Sequence, residues 1–196
     1  MDSKRILDKK EEQWQELLKD CLSCDKCGLR KTRYKMVFGK GSHEAKIMFI
    51  GEAPGESEDK EGLPFVGKAG KLLDKYMTFI DLNVDNVYIA NILKCRPPNN
   101  RDPEESEQDS CIDYLRMQTK LIDPKIIVCL GRIAAMRIIK PEFKITSEHG
   151  SWFKKGNIYM TAIYHPAALL RDTAKKADAL MDFKSVRDKA VELGIM

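Results

Sequence analysis

Apolar positions recur along the chain in two alternating patterns, a helical spacing and short continuous runs. Residues 3–20 place apolar side chains at helical spacing among charged ones, which predicts an amphipathic helix. These side chains are Ile6, Leu7, Trp14, Leu17 and Leu18. The apolar run 46–52 then passes into Gly-Glu-Ala-Pro-Gly, which predicts a buried strand that delivers a loop from its carboxyl end.

The same alternation continues through the rest of the chain. Helices are predicted over 66–80, 102–122, 132–139 and 178–195. Strands are predicted over 86–95 and 124–131, and two more on either side of a Lys-Gly-Asn turn within 152–166. In the helix over 66–80 the predicted apolar face comprises Leu72, Leu73, Tyr76, Phe79 and Ile80. Strands alternating with helices predict an α/β fold with a mostly parallel sheet, covered on both faces, and sites at its strand ends.

Composition limits the class of protein only loosely. A chain of 196 residues with 43% apolar content fits a single domain over 1–196. The formal charge of +4 permits contact with nucleic acid without requiring it, and an ordinary solvated surface has the same balance. There is no run of 18 apolar residues and no hydrophobic signal core at the amino end, so we expect a cytoplasmic protein without membrane contact.

The chain has six cysteines, and in a reducing compartment these indicate metal binding, redox chemistry or burial. Cys24 and Cys27 form a C-x2-C pair on one loop. Cys95 ends a predicted strand and Cys111 lies in the next predicted helix, so the polar loop between them can bring both sulfurs to one point. Four thiolates from these segments suit tetrahedral zinc or a four-iron cluster, and the spacing does not choose between them.

The remaining two cysteines leave alternatives open. Cys21 is a rival partner for Cys24, and Cys129 lies within an apolar run that predicts a core position. In the plainest interpretation all six are isolated core or surface thiols.

The loop 51–70 is dense in glycine, proline and acidic residues, and Gly51 and Gly55 allow a ligand to approach the backbone closely. It matches neither a Walker motif nor a dinucleotide fingerprint. Phe65 is either a hydrophobic plug or a surface on which a ring stacks, and Asn91 either caps a turn or reads a base edge. His165 also follows a predicted strand, and three strand ends that converge on one sheet edge favour a pocket there.

Taken together, these stretches resemble the family 4, iron–sulfur type of uracil-DNA glycosylases of archaea and thermophilic bacteria. The resemblance extends from Cys24 to about Arg171. It rests on C-x2-C-x-L-x-x-T-R at 24–33, GEAPGESED at 51–59, GLPFVGKAGKLL at 62–73, N-x3-CRPPNNRDP at 91–103, Cys111, and HPAALLR at 165–171.

The resemblance implies a three-layer α/β/α sandwich with a central, mostly parallel four-stranded sheet. It also implies a monofunctional DNA-repair enzyme that flips uracil out of single- or double-stranded DNA and hydrolyses its glycosidic bond. By position, the ligands of a structural [4Fe–4S] cluster are Cys24, Cys27, Cys95 and Cys111, with Cys21 and Cys129 outside. We further expect a monomer associated with a prokaryotic nucleoid, while contact with a sliding clamp is not derivable from the sequence.

Residue roles follow from the same positions. Phe65 is predicted to stack on uracil, Asn91 to hydrogen-bond its edge and His165 to stabilise the departing base as a neutral donor. Other members of the predicted base site are Glu52, Ala53 and Pro54. Predicted DNA contacts are Leu169, as the wedge that fills the vacated stack, with Arg171, Lys175, Lys176, Arg96 and Arg101 on the phosphates.

One position departs from related glycosylase families, which place an aspartate where this chain has Ala53. Glu52 or Glu58 is then a candidate for orienting the attacking water; in the alternative, a loosely held water captures the oxocarbenium-like sugar. Two other hypotheses remain: a metal-stabilised DNA or RNA binding module that senses a base without cleaving it, and a zinc protein of unrelated chemistry.

Overall fold

A single mixed sheet organises the part of the chain described by the computed structural model, which covers residues 2–196, with side chains from Lys9 onward. Its strand order is β1-β3-β2-β4-β6-β5. The strands are β1 (Lys40–Gly41), β2 (Ile47–Gly51), β3 (Val87–Asn91), β4 (Ile126–Leu130), β5 (Phe153–Lys155) and β6 (Ile158–Ile163). The inner strands β3, β2, β4 and β6 are parallel, and β1 and β5 pair antiparallel at the edges. The predicted four-stranded parallel sheet is present and is extended at each edge by a short strand.

Helices cover both faces of this sheet. They are α1 (Asp2–Ser23), α2 (Glu56–Glu61), α3 (Lys68–Phe79), α4 (Glu105–Ile122), α5 (Arg132–Ile138), α6 (Ile145–Glu148), α7 (Pro166–Arg171) and α8 (Lys176–Glu192). Each helix predicted from the apolar spacing is present within a few residues of its expected ends. The short helices α2, α6 and α7 were not predicted, because one or two turns do not establish a period. No helix within residues 2–196 combines the length and apolarity needed to cross a membrane.

Successive residues of the inner strands point into two separate cores, because side chains alternate across a sheet. Met48 and Ile50 of β2 pack with α1, α4 and α5 on one face. Ile47 and Phe49 pack with α3, α7 and α8 on the other. The predicted three-layer α/β/α architecture is confirmed.

Two details of the structure differ from the sequence prediction, and a third prediction concerns side chains that the structure does not describe. Phe79 is 55% exposed, because Met77 takes the buried position in the last turn of α3. The strand predicted to end at Cys95 ends at Asn91, where the buried Lys94 ammonium folds back onto the Asn91 carbonyl. The side chains of Ile6 and Leu7 lie outside the described residues.

The parallel strands bring separate segments to one edge. Gly51 ends β2, Asn91 ends β3, Gly131 follows β4 and His165 follows β6. Strand order reverses around β2, since β3 lies on one side of it and β4 on the other. Ligands of open α/β sheets bind at such a reversal, beyond the carboxyl ends of the strands.

Candidate functional site

A cavity of about 380 Å³ lies at this edge, within the size range of small-molecule sites. Residues that end or follow the three strands β2, β3 and β6 line it, together with the polar loop after β3. They are Glu52, Ala53, Pro54, Gly55, Glu58, Phe65, Ala69, Asn91, Pro97, Asn100, Arg101, Asp102, His165, Ala167 and Arg171. All six residues of the sequence-predicted base site lie in this wall.

Asn91 presents an unused acceptor at this cavity. Asn91 is 2% exposed, and its Oδ1 is buried without a hydrogen-bond partner among the described residues. Leaving a buried amide oxygen unpaired costs about 1–3 kcal/mol. The arrangement therefore favours a ligand that brings a donor to this atom.

Gly51 makes room for this carboxamide. A Cβ at residue 51 would lie 2.4 Å from Asn91 Oδ1 and 2.8 Å from the ring of Phe65. Glycine here serves the packing of two site side chains, whereas the sequence had suggested close approach of a ligand to the backbone. The same contacts show that the Asn91 carboxamide and the Phe65 ring both lie next to the Cα atom of Gly51.

Phe65 is held in a backbone conformation unusual for its residue type. Its φ is 51°, in the left-handed region that non-glycine residues adopt at a cost of about 1–3 kcal/mol. Lys40 Nζ donates to its carbonyl at 3.2 Å, and Gly70 leaves space for its backbone, since a Cβ there would lie 2.0 Å from that oxygen. The ring centroid lies 5.8 Å from that of His165, with 34° between the planes. The strain fixes an aromatic ring beside the cavity.

His165 begins α7 and is neutral at physiological pH. Burial, with the positive charge of Arg171 next, lowers its pKa to about 4. The Ala167 backbone N–H donates to its Nδ1 at 3.1 Å, which leaves the ring proton on Nε2. Gly131 packs directly under it, because a Cβ at 131 would lie 2.9 Å from the His165 Cβ. The imidazole is thus a fixed neutral donor.

Glu52 is the carboxyl group whose charge the site disfavours most clearly. Burial raises its pKa to about 7, the nearby negative Asp102 adds to the shift, and Arg132 opposes it. Arg132 is itself engaged with Asp102 at 2.9 Å. A carboxyl group with a pKa near 7 can exchange protons at neutral pH.

Glu58, the other candidate for orienting water, is occupied by the backbone. Its Oε1 accepts from the N–H groups of Val66 and Gly67, both at 2.9 Å, and its Oε2 accepts from Gly55 N at 3.2 Å. Glu58 therefore holds the loop that carries Phe65, and Glu52 is the carboxylate with free oxygens.

The three arginines predicted to contact DNA differ in their surroundings. Arg171 is exposed at the cavity rim. Arg96 donates to Asn100 at 2.7 Å, in the same polar loop. Arg101 forms a bidentate ion pair with Glu107 at 2.6 and 2.8 Å, so a carboxylate of the protein already neutralises its charge.

Leu169, the predicted wedge, does not face solvent in this structure. Its side chain is fully buried in the core beneath α7, and a core leucine cannot enter a base stack without unfolding its surroundings. The next residue, Leu170, is 46% exposed. In a helix, neighbouring residues point in different directions, and the sequence pattern alone did not show which of the two leucines faces solvent.

A second cavity lies among the cysteines. Its lining includes Cys21, Cys24, Cys27, Cys95 and Cys111, from α1, the following loop, the loop after β3, and α4. All six cysteines are free thiols, and Cys129 is fully buried in β4 as predicted. Cys21 thus lines the same cavity as the four predicted ligands, although the resemblance leaves it outside the ligand set.

The sulfurs receive donors from the protein. Arg33 Nη1 donates to Cys95 Sγ at 3.0 Å, and the Lys94 backbone N–H to Cys111 Sγ at 3.3 Å. Burial raises the pKa of Cys21 to about 12 and that of Cys111 to about 11. Within the described residues, no three His, Cys, Asp or Glu side chains converge to hold one metal ion; the thiols line the cavity walls.

Comparison with known proteins assigns this arrangement to a family. The profile described as "Uracil DNA glycosylase superfamily" matches residues 38–185, which include the whole lining of the base cavity and the part of the cysteine cavity from Leu93 onward. The chain belongs to the uracil-DNA glycosylase superfamily.

Its similarity to individual superfamily members extends over most of the chain. It is 45% identical to the type-4 uracil-DNA glycosylase of Archaeoglobus fulgidus, over 87% of this chain and 90% of that protein. It is 44% identical to that of Sulfurisphaera tokodaii, over 90% and 84%, and 39% identical to that of Thermotoga maritima, over 78% and 81%. The resemblance stated from motifs alone is confirmed.

Three residues at the two cavities were not predicted from the sequence. Asn100 and Asp102 line the base cavity, although only the arginines of CRPPNNRDP had been considered. Lys94 is 1% exposed between the two cavities. The sequence feature that could have pointed to Lys94 is the presence of a lysine within the otherwise apolar run ILKC.

Proposed function

We propose that the protein is a monofunctional uracil-DNA glycosylase that hydrolyses the N-glycosidic bond of uracil in DNA and leaves an abasic site. The observation that carries this proposal is the unpartnered Asn91 Oδ1, buried in a cavity that also holds an aromatic ring and a neutral histidine donor. The relatives' names supply the substrate class.

Asn91 selects the base through its amide. Uracil offers an N3–H donor next to the O4 acceptor, so Oδ1 accepts from N3 while Nδ2 donates to O4. Cytosine presents an acceptor at N3 and an amino donor at position 4, and both then face a group of the same kind. A buried amide left unpaired in this way rejects the wrong base strongly.

Phe65 binds the face of the flipped ring. Stacking of a base on an aromatic side chain contributes about 1–3 kcal/mol, and the fixed backbone of Phe65 means that little order is lost on binding. This binding offsets the few kcal/mol required to take a nucleotide out of the stack.

His165 stabilises the leaving group. As the C1′–N1 bond breaks, its electron pair moves into the pyrimidine ring and negative charge collects on O2. A neutral imidazole with its proton on Nε2 can donate a hydrogen bond to that oxygen without full proton transfer. The low pKa keeps His165 in this form throughout the working pH range.

Glu52 completes the reaction on the sugar. Its carboxylate orients a water molecule whose oxygen bonds to C1′, and one proton of that water passes to the carboxylate before reaching the uracil anion. Ala53 offers only a methyl group here. The proposal therefore assigns the water to Glu52, since Glu58 is occupied by the loop backbone.

The protein grips DNA around the cavity mouth. In the proposed complex Arg171, at the cavity rim, and Arg96, in the polar loop, contact phosphates, and the exposed Leu170 fills the stack that uracil leaves. In this proposal Leu170 replaces Leu169 as the wedge. The protein acts on both single-stranded and duplex DNA.

Cys24, Cys27, Cys95 and Cys111 hold a [4Fe–4S] cluster in the proposed enzyme. The donor set fits, because four thiols from separate segments line one cavity and donors from Arg33 and Lys94 stabilise the thiolate form of two of them. The bound cluster would join the loop after α1, the loop after β3 and α4. Hydrolysis of a glycosidic bond moves no net electrons, so its contribution is structural.

The activity is tested with a uracil-containing oligonucleotide, single-stranded and paired with guanine. We expect release of free uracil and alkali-labile sites, loss of both with Asn91→Ala, and full activity with Asn157→Ala, an exposed asparagine in the β5–β6 turn. Tight binding without release would instead support a base-sensing module. A protein that neither binds the oligonucleotide nor releases uracil would overturn the proposal.

The cofactor is tested by metal content and colour. A brown protein with about four irons and four sulfides per chain supports the cluster, and Cys95→Ser should lose it. A colourless protein with stoichiometric zinc would show that the same thiols bind a different metal.

A further inference from the structure

Lys94 is a buried ammonium between the two cavities. It is 1% exposed, and its Nζ donates to the Asn91 carbonyl at 3.0 Å and to Gln118 Oε1 at 2.7 Å. Both acceptors are neutral, and no ion pair among the described residues includes this lysine. Burying a charge without an opposite charge is expensive, so a lysine in this position calls for an explanation beyond packing.

The opposite charge is available at the cysteine cavity. Lys94 lines that cavity, its backbone N–H donates to Cys111 Sγ, and it directly precedes Cys95. Thiolates that bind a metal centre are negatively charged, and a four-iron cluster with four thiolates has a net negative charge. The buried ammonium and such a cluster would therefore each reduce the free-energy cost of burying the other's charge.

On the other side, Lys94 restrains the residue that reads the base. The Asn91 carbonyl is the last of β3, and its carboxamide extends from the same residue into the base cavity. Gln118 is itself fixed, because its Nε2 donates to the Phe38 carbonyl at 3.0 Å and to the Tyr88 hydroxyl at 3.1 Å. The ammonium thus donates to two acceptors, one of which belongs to a side chain that is itself held by two further hydrogen bonds.

We propose that Lys94 is a positioning residue that couples the cysteine-bound cluster to Asn91, serving as the cluster's buried counter-charge and as the hydrogen-bond donor that fixes the end of β3. The inference rests on the proposed function and deepens it, because it gives the cluster a physical connection to base recognition. Coupling between two sites is reciprocal, so uracil bound at Asn91 must also perturb the cluster.

The first test uses the wild-type holoenzyme and free uracil. Proton NMR resolves the β-protons of cluster-bound cysteines, because the iron shifts them far outside the normal range. Saturating uracil should move signals of Cys95 or Cys111, next to Lys94, and should leave those of Cys24 and Cys27 in place. Unmoved signals, with uracil binding verified by inhibition of cleavage, would overturn the coupling.

The second test removes the charge. Lys94→Met should shift the cluster's midpoint potential to more negative values, because a nearby buried cation favours the reduced, more negative cluster. It should also lower kcat on single-stranded uracil-DNA by about 10- to 100-fold, as expected for a misplaced binding group. Lys94→Arg, which keeps the cation, should restore the potential.

Lys26→Met is the matched control, since Lys26 lines the same cavity but is exposed and its charge is screened by solvent. A Lys94→Met protein with wild-type potential and kcat would refute the inference. If that variant does not fold, the uracil titration of the wild type decides alone. A wild type that releases no uracil contradicts the proposed function, whereas an active enzyme with a cluster insensitive to uracil contradicts only the coupling.

Discussion

Replacing Glu52 by glutamine removes a carboxyl group whose ionisation the fold opposes. Its pKa rises from 4.5 to about 7, mainly because the group is buried and secondly because Asp102 is negative. A carboxyl group with a raised folded-state pKa destabilises the protein once it ionises. The cost is therefore absent below pH 4.5, grows as the pH rises towards 7 and is constant above that.

The magnitude follows from linkage between protonation and folding. With 1.36 kcal/mol per pKa unit, the cost of ionising Glu52 is about 1 kcal/mol at pH 5 and at most about 3 kcal/mol at pH 8. For a chain of this length 1 kcal/mol corresponds to about 2–4 °C in Tm. Glu52→Gln should thus melt up to about 6–12 °C above the wild type at pH 8, and only a few degrees above it at pH 5.

The same variant should lose activity. The wild-type kcat/KM should rise with pH through a limb near 7, because the carboxylate is the form that orients water. Glu52→Gln should show no such limb and a rate lower by about 10²–10⁴-fold. More stability with less activity is expected where a strained group performs the chemistry.

Thermal melts and pH–rate profiles of wild type, Glu52→Gln and Glu56→Gln provide the measurement. Glu56 is an exposed glutamate at the start of α2, paired with Lys60, so its replacement should change stability little at either pH. Equal stabilisation of Glu52→Gln at pH 5 and pH 8 would refute the burial argument. A wild-type limb that persists in Glu52→Gln would show that another group titrates.

Three further predictions concern the remaining site residues. His165→Gln should lower kcat yet keep the limb near pH 7, because the imidazole, with its pKa of about 4, does not titrate there; a pH–rate profile without the limb would contradict this. Gly51→Ala should abolish cleavage, since its Cβ would collide with Asn91 Oδ1, while Gly28→Ala, with nothing within 4 Å, should cleave normally. Leu170→Ala should impair cleavage of duplex more than of single-stranded DNA by roughly tenfold, because only a duplex has a stack to fill. Leu169→Ala should instead cost about 2–5 kcal/mol of stability, measured by thermal melts, without that preference.

The local pattern of apolar and polar residues was enough to predict the three layers of the fold. Apolar runs such as KIMFIGE and IIVCLG, separated by amphipathic helices, predict buried parallel strands, because each segment's period reports how many of its faces are covered. Those strands place Asn91 and His165 at their carboxyl ends. The motifs around these residues, and each of the cysteine pairs 24/27 and 95/111, were visible in the sequence because each lies within one short segment of the chain.

What the sequence could not supply was the direction of individual side chains and the contacts between distant segments. Leu169 and Leu170 are chemically identical neighbours, and only the packing of α7 on the sheet buries one and exposes the other. Glu52 and Glu58 are equally acidic on paper, but three backbone N–H groups occupy Glu58, whereas burial leaves Glu52 with its raised pKa. Lys94 acquires its place between two cavities only when β3 and α4 come together, because burial and long-range hydrogen bonds are properties of the assembled fold.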